Sequence, residues 1–278
     1  MTTRAAIESH RPSAMGGDLR RFVALTRTLA VTDFKLRYFG SALGYLWSLA
    51  RPLLFFGVIY VVFTHVVRFG ANVEHYAAYL LMSIVLWTFF AETTNGAVRC
   101  LVTREALLRK IRFPRLVIPL SVSLTAFFNL ALNLVAVVVF ATLSGVRPQV
   151  GWLEVPVLVA LLFVLATGVG MLLSALYVRF RDLEPIWDVA LQVLFYGSPI
   201  LFVASNYPDS VERILGASPI AAILTEMRRA FVDSDAPGAA EAIGGAPRLL
   251  IPLGIVVGVF VLGWWVFNRE APRIAENL

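Results

Sequence analysis

Residues 116–143 read LVIPLSVSLTAFFNLALNLVAVVVFATL. The stretch holds no acidic or basic residue, and only Pro, Ser, Thr and Asn interrupt its apolar run. A helix rises about 1.5 Å per residue, so this one is longer than the ~30 Å of hydrocarbon in a bilayer. The only other backbone that satisfies itself in lipid is a closed strand barrel. A barrel strand alternates apolar and polar residues, and this run does not. The stretch is therefore read as a transmembrane helix.

Blocks of the same kind lie on both sides of it. Toward the N-terminus they cover residues 43–67 and 76–98; toward the C-terminus, 152–178, 185–203 and 249–267. Pro52 is expected in the first turn of its span or at a kink in it. The last block closes with Trp264 and Trp265, an interfacial aromatic anchor. The expected fold class is an all-α integral membrane protein of about six transmembrane helices. Composition agrees: of 278 residues, 59% are hydrophobic and 15% charged, where a soluble domain has about half and about a quarter. The net charge of +6 does not point to nucleic acid, because the cations flank hydrophobic blocks and no soluble domain remains to carry such a site. It points to anionic lipid headgroups and to a topological signal. Cys100 is the single cysteine, which excludes an internal disulfide. Residues 1–17 hold Arg4, Glu8, His10 and Arg11 without an apolar core, so no cleavable signal peptide is expected.

The cations set the orientation. Arg4, Arg11, Arg20, Arg21, Arg27, Lys35 and Arg37 precede the first span. Arg99, Arg104, Arg109, Lys110, Arg112 and Arg115 lie between the second and third. Arg179 and Arg181 follow the fourth, and Arg269 and Arg273 follow the last. The opposite side holds only Arg68, Arg147, Arg213, Arg228, Arg229 and Arg248, and Arg51 falls at the edge of the first span. The positive-inside rule makes the richer side cytoplasmic and places both termini there.

Two segments outside the spans have a pattern of their own. Residues 18–38, DLRRFVALTRTLAVTDFKLRY, repeat Leu19, Phe22, Val23, Thr26, Leu29, Ala30 and Phe34 at helical spacing, with Leu25 and Val31 off the stripe. Residues 1–38 are expected as a cytoplasmic N-terminus whose basic amphipathic helix lies in the headgroup plane. Residues 99–119, RCLVTREALLRKIRFPRLVIP, predict a short amphipathic helix over 103–111, with Leu107, Leu108 and Ile111 on one side; Phe113 and Pro114 end it. A short helix across the inner mouth suits a groove on a partner; a plain topogenic loop is the competing reading.

At the outer side, Gly197, Ser198 and Pro199 are expected to break the fifth span. Residues 205–232 then predict a short polar helix and a half-apolar one from Pro219, carrying Glu226, Arg228 and Arg229. The second is too short and too charged to cross, but fits a re-entrant helix at an outer gate. Within the spans, Ala166, Gly170 and Ser174, and Gly254 and Gly258, recur every four residues as close-contact ridges. Asn129, Asn133, Glu92, Asp188 and Gln192 are intramembrane polar candidates, read mainly as links between helices. Tyr45, Trp47, Trp87, Phe90, Phe195 and Tyr196 supply ring faces on which sugar C–H groups can stack, and are candidates for lining a channel. His65 and His75 have no ligand company, so no metal site is expected. An acidic pair, Asp182 and Glu184, is the nearest approach to an enzyme site, but Arg179 and Arg181 beside it read as an ion-pair network at a helix end. A phosphate-binding loop needs Gly-Lys, and the only lysines, Lys35 and Lys110, follow Phe34 and Arg109. Any ATP must be hydrolysed by another polypeptide.

Four segments in order resemble the type-2 ABC transporter permeases that export polysaccharides such as O-antigen, teichoic acid and galactan. They are DFKLRYFGSALGYLWSLARPLL (33–54), RKIRFPRLVIP (109–119), ALYVRFRDLEPIWDVALQVLFYGSPILF (175–202), and SPIAAILTEMRRAF (218–231) with FNREAPRIAENL (267–278). The resemblance implies that residues 39–278 form an ABC-2 type transmembrane domain. Two copies would enclose a channel, with two ABC ATPase subunits below holding the ATP and Mg. Residues 103–115, from Arg104 and Glu105 through Leu107, Leu108, Arg109, Lys110, Ile111, Arg112, Phe113 and Pro114 to Arg115, would be the coupling segment in the ATPase groove. Residues 205–232 would be the outer gate, and a lipid-linked polysaccharide the cargo. An ABC-2 type drug or lipid exporter is the alternative. In the tail, Ala271-Pro272 stands where the family has a charged pair.

Overall fold

A computed structural model describes residues 19–38, 44, 46–67, 73–110, 114–203 and 209–277. Its helices are α1 (Leu19–Tyr38), α2 (Leu46–Val61, continued by a π turn at Val62–Val66), α3 (Tyr76–Val98), α4 (Cys100–Thr103), α5 (Glu105–Lys110), α6 (Val117–Leu143), α7 (Val155–Tyr177, preceded by a 3-10 turn at Val150–Glu154), α8 (Leu183–Gly197), α9 (Asp209–Gly216), α10 (Pro219–Met227, continued by a π turn at Arg228–Val232), α11 (Ala239–Ala242) and α12 (Leu250–Asn277). No strand occurs among the described residues.

Five of these helices are long and apolar enough to cross a membrane: α2 with its π turn, α3, α6, α7 with its 3-10 turn, and α12 with the turn before it. The fifth block of the sequence behaves differently. Its helix, α8, has 15 residues, about 22 Å, and falls short of the hydrocarbon thickness. It nevertheless lies antiparallel along α3 from end to end. Arg99 meets Glu184, Asn95 meets Asp188, the Trp87 and Phe195 rings touch, and Tyr76 reaches Leu201. Six residues of irregular chain, 198–203, follow it. The helix stops where Gly197, Ser198 and Pro199 stop it, as their backbone chemistry dictates. The block 185–203 is thus a helix to Gly197 followed by turns and bends, with the break where Gly197, Ser198 and Pro199 are expected to make it.

α3 is the axis of the bundle. Both its faces are buried, including Leu80, Ile84, Leu86 and Phe89, and it contacts α2, α6, α7 and α8. α2 and α12 are peripheral, with Leu54, Val58, Val66, Leu250 and Trp265 exposed. Pro52 sits inside α2 rather than in its first turn.

The closest helix pair is α7 with α12. A Cβ on Gly168 would come within 2.7 Å of the Phe260 Cα, and one on Gly263 would collide with the Gly168 carbonyl. Close approach is therefore built on Gly168 and Gly263. Gly254 and Gly258, expected as a contact ridge, have open space beside them. Of the other expected ridge, Gly170 faces Ala97 of α3, and Ala166 and Ser174 are fully buried. Spacing alone identified a ridge on α7 but chose the wrong face of α12, because every face of an apolar helix offers small residues.

Candidate functional site

The inner end is organised by charge. α1 packs on α6 through Phe22, Ala30 and Phe34; Phe34 meets the Phe128 ring edge-on at 5.7 Å. Leu25 and Leu29 join the inner core, whereas Leu19 and Val23 are exposed, so the packed face is rotated from the expected stripe. At its end Arg37 pairs with Glu92 of α3, and the Tyr38 hydroxyl donates to Asn129 Oδ1 of α6 at 2.7 Å. Asn129 Nδ2 donates to Glu92 Oε1 at 2.8 Å, and Asn133 Nδ2 to the Asn129 carbonyl at 2.8 Å. Glu92, Asn129, Asn133, Thr88 and Pro52 line a small pocket of about 10 Å³, at the lower limit for one water molecule. A partly buried carboxylate beside apolar helices needs partners, and Arg37 and Asn129 supply them.

The segment between α3 and α6 is two short helices, not one. Arg104 leaves helical geometry (φ −107°, ψ 22°) between α4 and α5. Its guanidinium turns inward, pairing with Asp33 of α1 and donating to Ser121 Oγ of α6 at 2.9 Å. Leu108 packs against the inner core with Leu101 and Phe22, while Leu107 is half-buried. Glu105 opens α5, Arg109 and Lys110 close it, and Pro114 and Arg115 precede α6. Ile111, Arg112 and Phe113 lie outside the described residues. Cys100 is buried here, and burial pushes its thiol up to about 12.

The loop before α8 also differs from its sequence reading. Glu184 pairs with Arg99 and accepts from the Tyr177 hydroxyl at 3.2 Å. Arg181 instead lies over the Tyr177 ring, and Arg179 over Phe180. The nearest cations in sequence lose to one from α3, because a helix-end carboxylate faces the neighbouring helix rather than back along its own chain.

The outer end is organised by backbone. The irregular residues 198–203 expose carbonyls that no helix satisfies. Tyr79 of α3 donates its hydroxyl to the Pro199 carbonyl and stands 3.1 Å from that of Phe202; the Tyr76 hydroxyl donates to Leu201 at 2.9 Å. α10 packs on α7 and α12, and Ile220, Ile223 and Leu224 line one small pocket with Leu86, Trp87 and Phe90 of α3 and Leu162 of α7. Leu86 lies ~15 Å along α3 from Tyr76, so α10 reaches well below the outer end. Its π turn keeps Ala230, Phe231 and Val232 buried. There Gln149 Nε2 donates to the carbonyls of Arg229 and Ala230, Trp152 Nε1 donates to that of Phe231 at 3.0 Å, and the Trp152 and Phe231 rings stack at 4.7 Å. Arg229 binds Glu226 (Nε to Oε1, 2.7 Å) and Glu154 (2.9 Å), and these bonds, Glu226 first, hold its guanidinium above its ordinary value. Glu226 also accepts the Ala239 N–H at 2.7 Å, tying α10 to α11. Arg228 lies over the Tyr79 ring at 5.8 Å and faces Asp233 at 3.7 Å.

The profile of the ABC-2 type transporter family matches residues 24–232. The chain belongs to the ABC-2 type transporter family. The match begins within α1 and ends with the π turn after α10, so it takes in both polar networks. Proteins named O-antigen export system permease protein RfbA are similar along nearly the whole chain. Two from Klebsiella pneumoniae are 31% and 29% identical, each over 88% of this chain and 92% of its own length. One from Myxococcus xanthus is 28% identical over 94% of this chain and 98% of its own length. This ABC-2 chain is a permease subunit, and the ATPase is a separate subunit.

The ring residues of this ABC-2 subunit fall into two groups. Trp87, Phe90 and Phe195 are buried within the bundle, where Trp87 and Phe90 seat α10 and Phe195 touches Phe55 and Trp87. Trp47 on α2 and Tyr196 on α8 are exposed. Tyr45 lies outside the described residues. Pro199 and Arg228 both meet Tyr79, Gly197 ends α8, and Pro219 begins α10. Sequence reading missed Tyr76, Tyr79, Gln149, Trp152 and Asp33. The two tyrosines were hidden inside a span, where an aromatic signals lipid or packing; a donor-bearing ring one helix away from a Gly-Ser-Pro break was the available clue.

Proposed function

We propose that this permease is the channel-forming subunit of an exporter that carries a lipid-linked polysaccharide outward across the inner membrane. The likeness to O-antigen export permeases over 88% or more of the chain carries the reading. Two copies would enclose the path, with the exposed faces of α2 and α8, bearing Trp47 and Tyr196, turned toward it and Trp87, Phe90 and Phe195 backing them. Two ABC ATPase subunits, holding ATP and Mg, dock at the cytoplasmic side, where both termini lie. The segment 103–115 receives their motion, α1 rests on the inner membrane surface, and residues 205–232 close the outer mouth. ATP moves the gate only as far as its differential affinity for the two states allows, so the docking segment must be mechanically tied to the spans. Arg104, bound to α1 and α6 at once, is such a tie.

The test is reconstitution with its partner ABC ATPase and a lipid-linked polysaccharide in proteoliposomes. Glycan is expected to cross only with ATP. Leu107→Glu is expected to leave insertion intact and to abolish ATP-driven export while the ATPase subunits still hydrolyse ATP. Export without the ATPase, or no glycan movement by the complete complex, overturns the reading; unaffected export by Leu107→Glu overturns the coupling assignment.

A further inference from the structure

Tyr79 is 2% exposed and sits in the first turn of α3. Three separate parts of the outer end converge on it. Its hydroxyl serves the Pro199 and Phe202 carbonyls of the irregular chain after α8. Its ring lies under the Arg228 guanidinium, 5.8 Å from the centroid, at the π turn after α10. Arg228 is itself largely buried, and its Nε has no hydrogen-bond partner, so the ring face adds to what the Asp233 carboxylate, 3.7 Å away, supplies against its charge. We propose that Tyr79 is the positioning residue of the outer closure, the latch through which the end of α8 and α10 are held against α3. This rests on the reading of residues 205–232 as an outer gate.

The chemistry favours a latch over a simple brace. A phenol has one proton to donate, and two carbonyls three residues apart lie within its reach. A shift of the irregular chain past Tyr79 exchanges one acceptor for the other. No carbonyl acceptor is then lost to the phenol midway, which would otherwise cost a buried, unmade hydrogen bond. Irregular backbone can slide in this way because it has no helical ladder to break. Tyr76 provides the internal comparison: it is buried to a similar degree and donates to Leu201 in the same run of chain, but no cation of α10 lies over its ring among the described residues.

The experiment is passive leak of a small sugar from proteoliposomes holding the permease without its ATPase, run beside ATP-driven export in the complete complex. Tyr79→Phe keeps the ring and removes the proton donor. It is expected to raise leak several-fold while ATP hydrolysis by the complex stays near wild type. Tyr76→Phe is expected to leak like wild type. Arg228→Gln, which removes the cation and leaves the hydroxyl, is expected to leak more than wild type, and serves alone if Tyr79→Phe does not fold. A tight Tyr79→Phe, or equal leak from Tyr76→Phe, overturns the latch even where wild type exports normally. Failure of wild type to export overturns the functional reading instead, and the leak comparison still decides the latch.

Discussion

At the inner end of the molecule, Arg37, Arg99 and Arg104 meet Glu92, Glu184 and Asp33 across helix boundaries, side chain to side chain. At the outer end, Tyr76, Tyr79, Gln149 and Trp152 donate to main-chain carbonyls. The contrast follows from the backbone. Around the inner network, α3, α6 and α8 are regular helices whose main chains satisfy themselves, leaving register to be set by side-chain charge. Outside, the chain is broken at residues 198–203 and unwound into π turns, and each unpaired carbonyl needs a donor from within the protein. Ion pairs are present there too, Arg229 with Glu226 and Glu154 and the largely buried Arg228 with Asp233, but the broken backbone itself is served by neutral donors. The tyrosine bonds to Pro199 and Leu201 are buried, whereas the ion pairs at the other end are partly exposed.

The largest effect tests what both ends share. Gly168→Val forces α7 and α12 apart where their backbones touch, an overpacking expected to cost about 3 kcal/mol. The detergent-solubilised protein should lose its folded fraction and melt well below wild type; an unchanged melting curve would show that this contact is not needed. At the outer end, Trp152→Phe keeps the stack on Phe231 and deletes the bond to its carbonyl. A loss of about 1 kcal/mol, insensitive to salt, is expected in denaturant titration. Its inner counterpart, Glu92→Gln, keeps an acceptor for Asn129 and removes the charge facing Arg37. A half-exposed pair is worth about 0.5–1 kcal/mol, and raising the salt should shrink the difference from wild type. Equal salt dependence in the two variants would erase the distinction between the ends. The smallest effect concerns Cys100. With burial raising its thiol to about 12, maleimide labelling at pH 8 should be negligible in the folded protein and rapid in denaturant. Fast native labelling would mean that α4 opens easily.

Much of the fold was legible because lipid imposes a one-dimensional rule: a long apolar run must cross. Residues 116–143 and 76–98 became helices almost at the expected bounds. The break at Gly197-Ser198-Pro199 was legible for the same local reason. The candidate site was less so. The sequence marked Arg104 as part of a partner-facing segment, yet its side chain turns back to Asp33, which lies far away in sequence. It marked Glu226 and Arg229, which do bind each other, but not Glu154, which joins them from the turn before α7.

By itself the sequence determined that the chain crosses a membrane several times, where most crossings lie, that its cations gather on one side and that it carries no phosphate-binding lysine loop. Those are properties of composition and order, and hydration free energy reads them residue by residue. Only the tertiary structure decided which small residues touch, that α8 ends short and is followed by irregular chain, and that tyrosines of α3 supply its missing donors. Such choices depend on which helix lies beside which, and an apolar helix gives almost the same hydrophobic return on any of its faces.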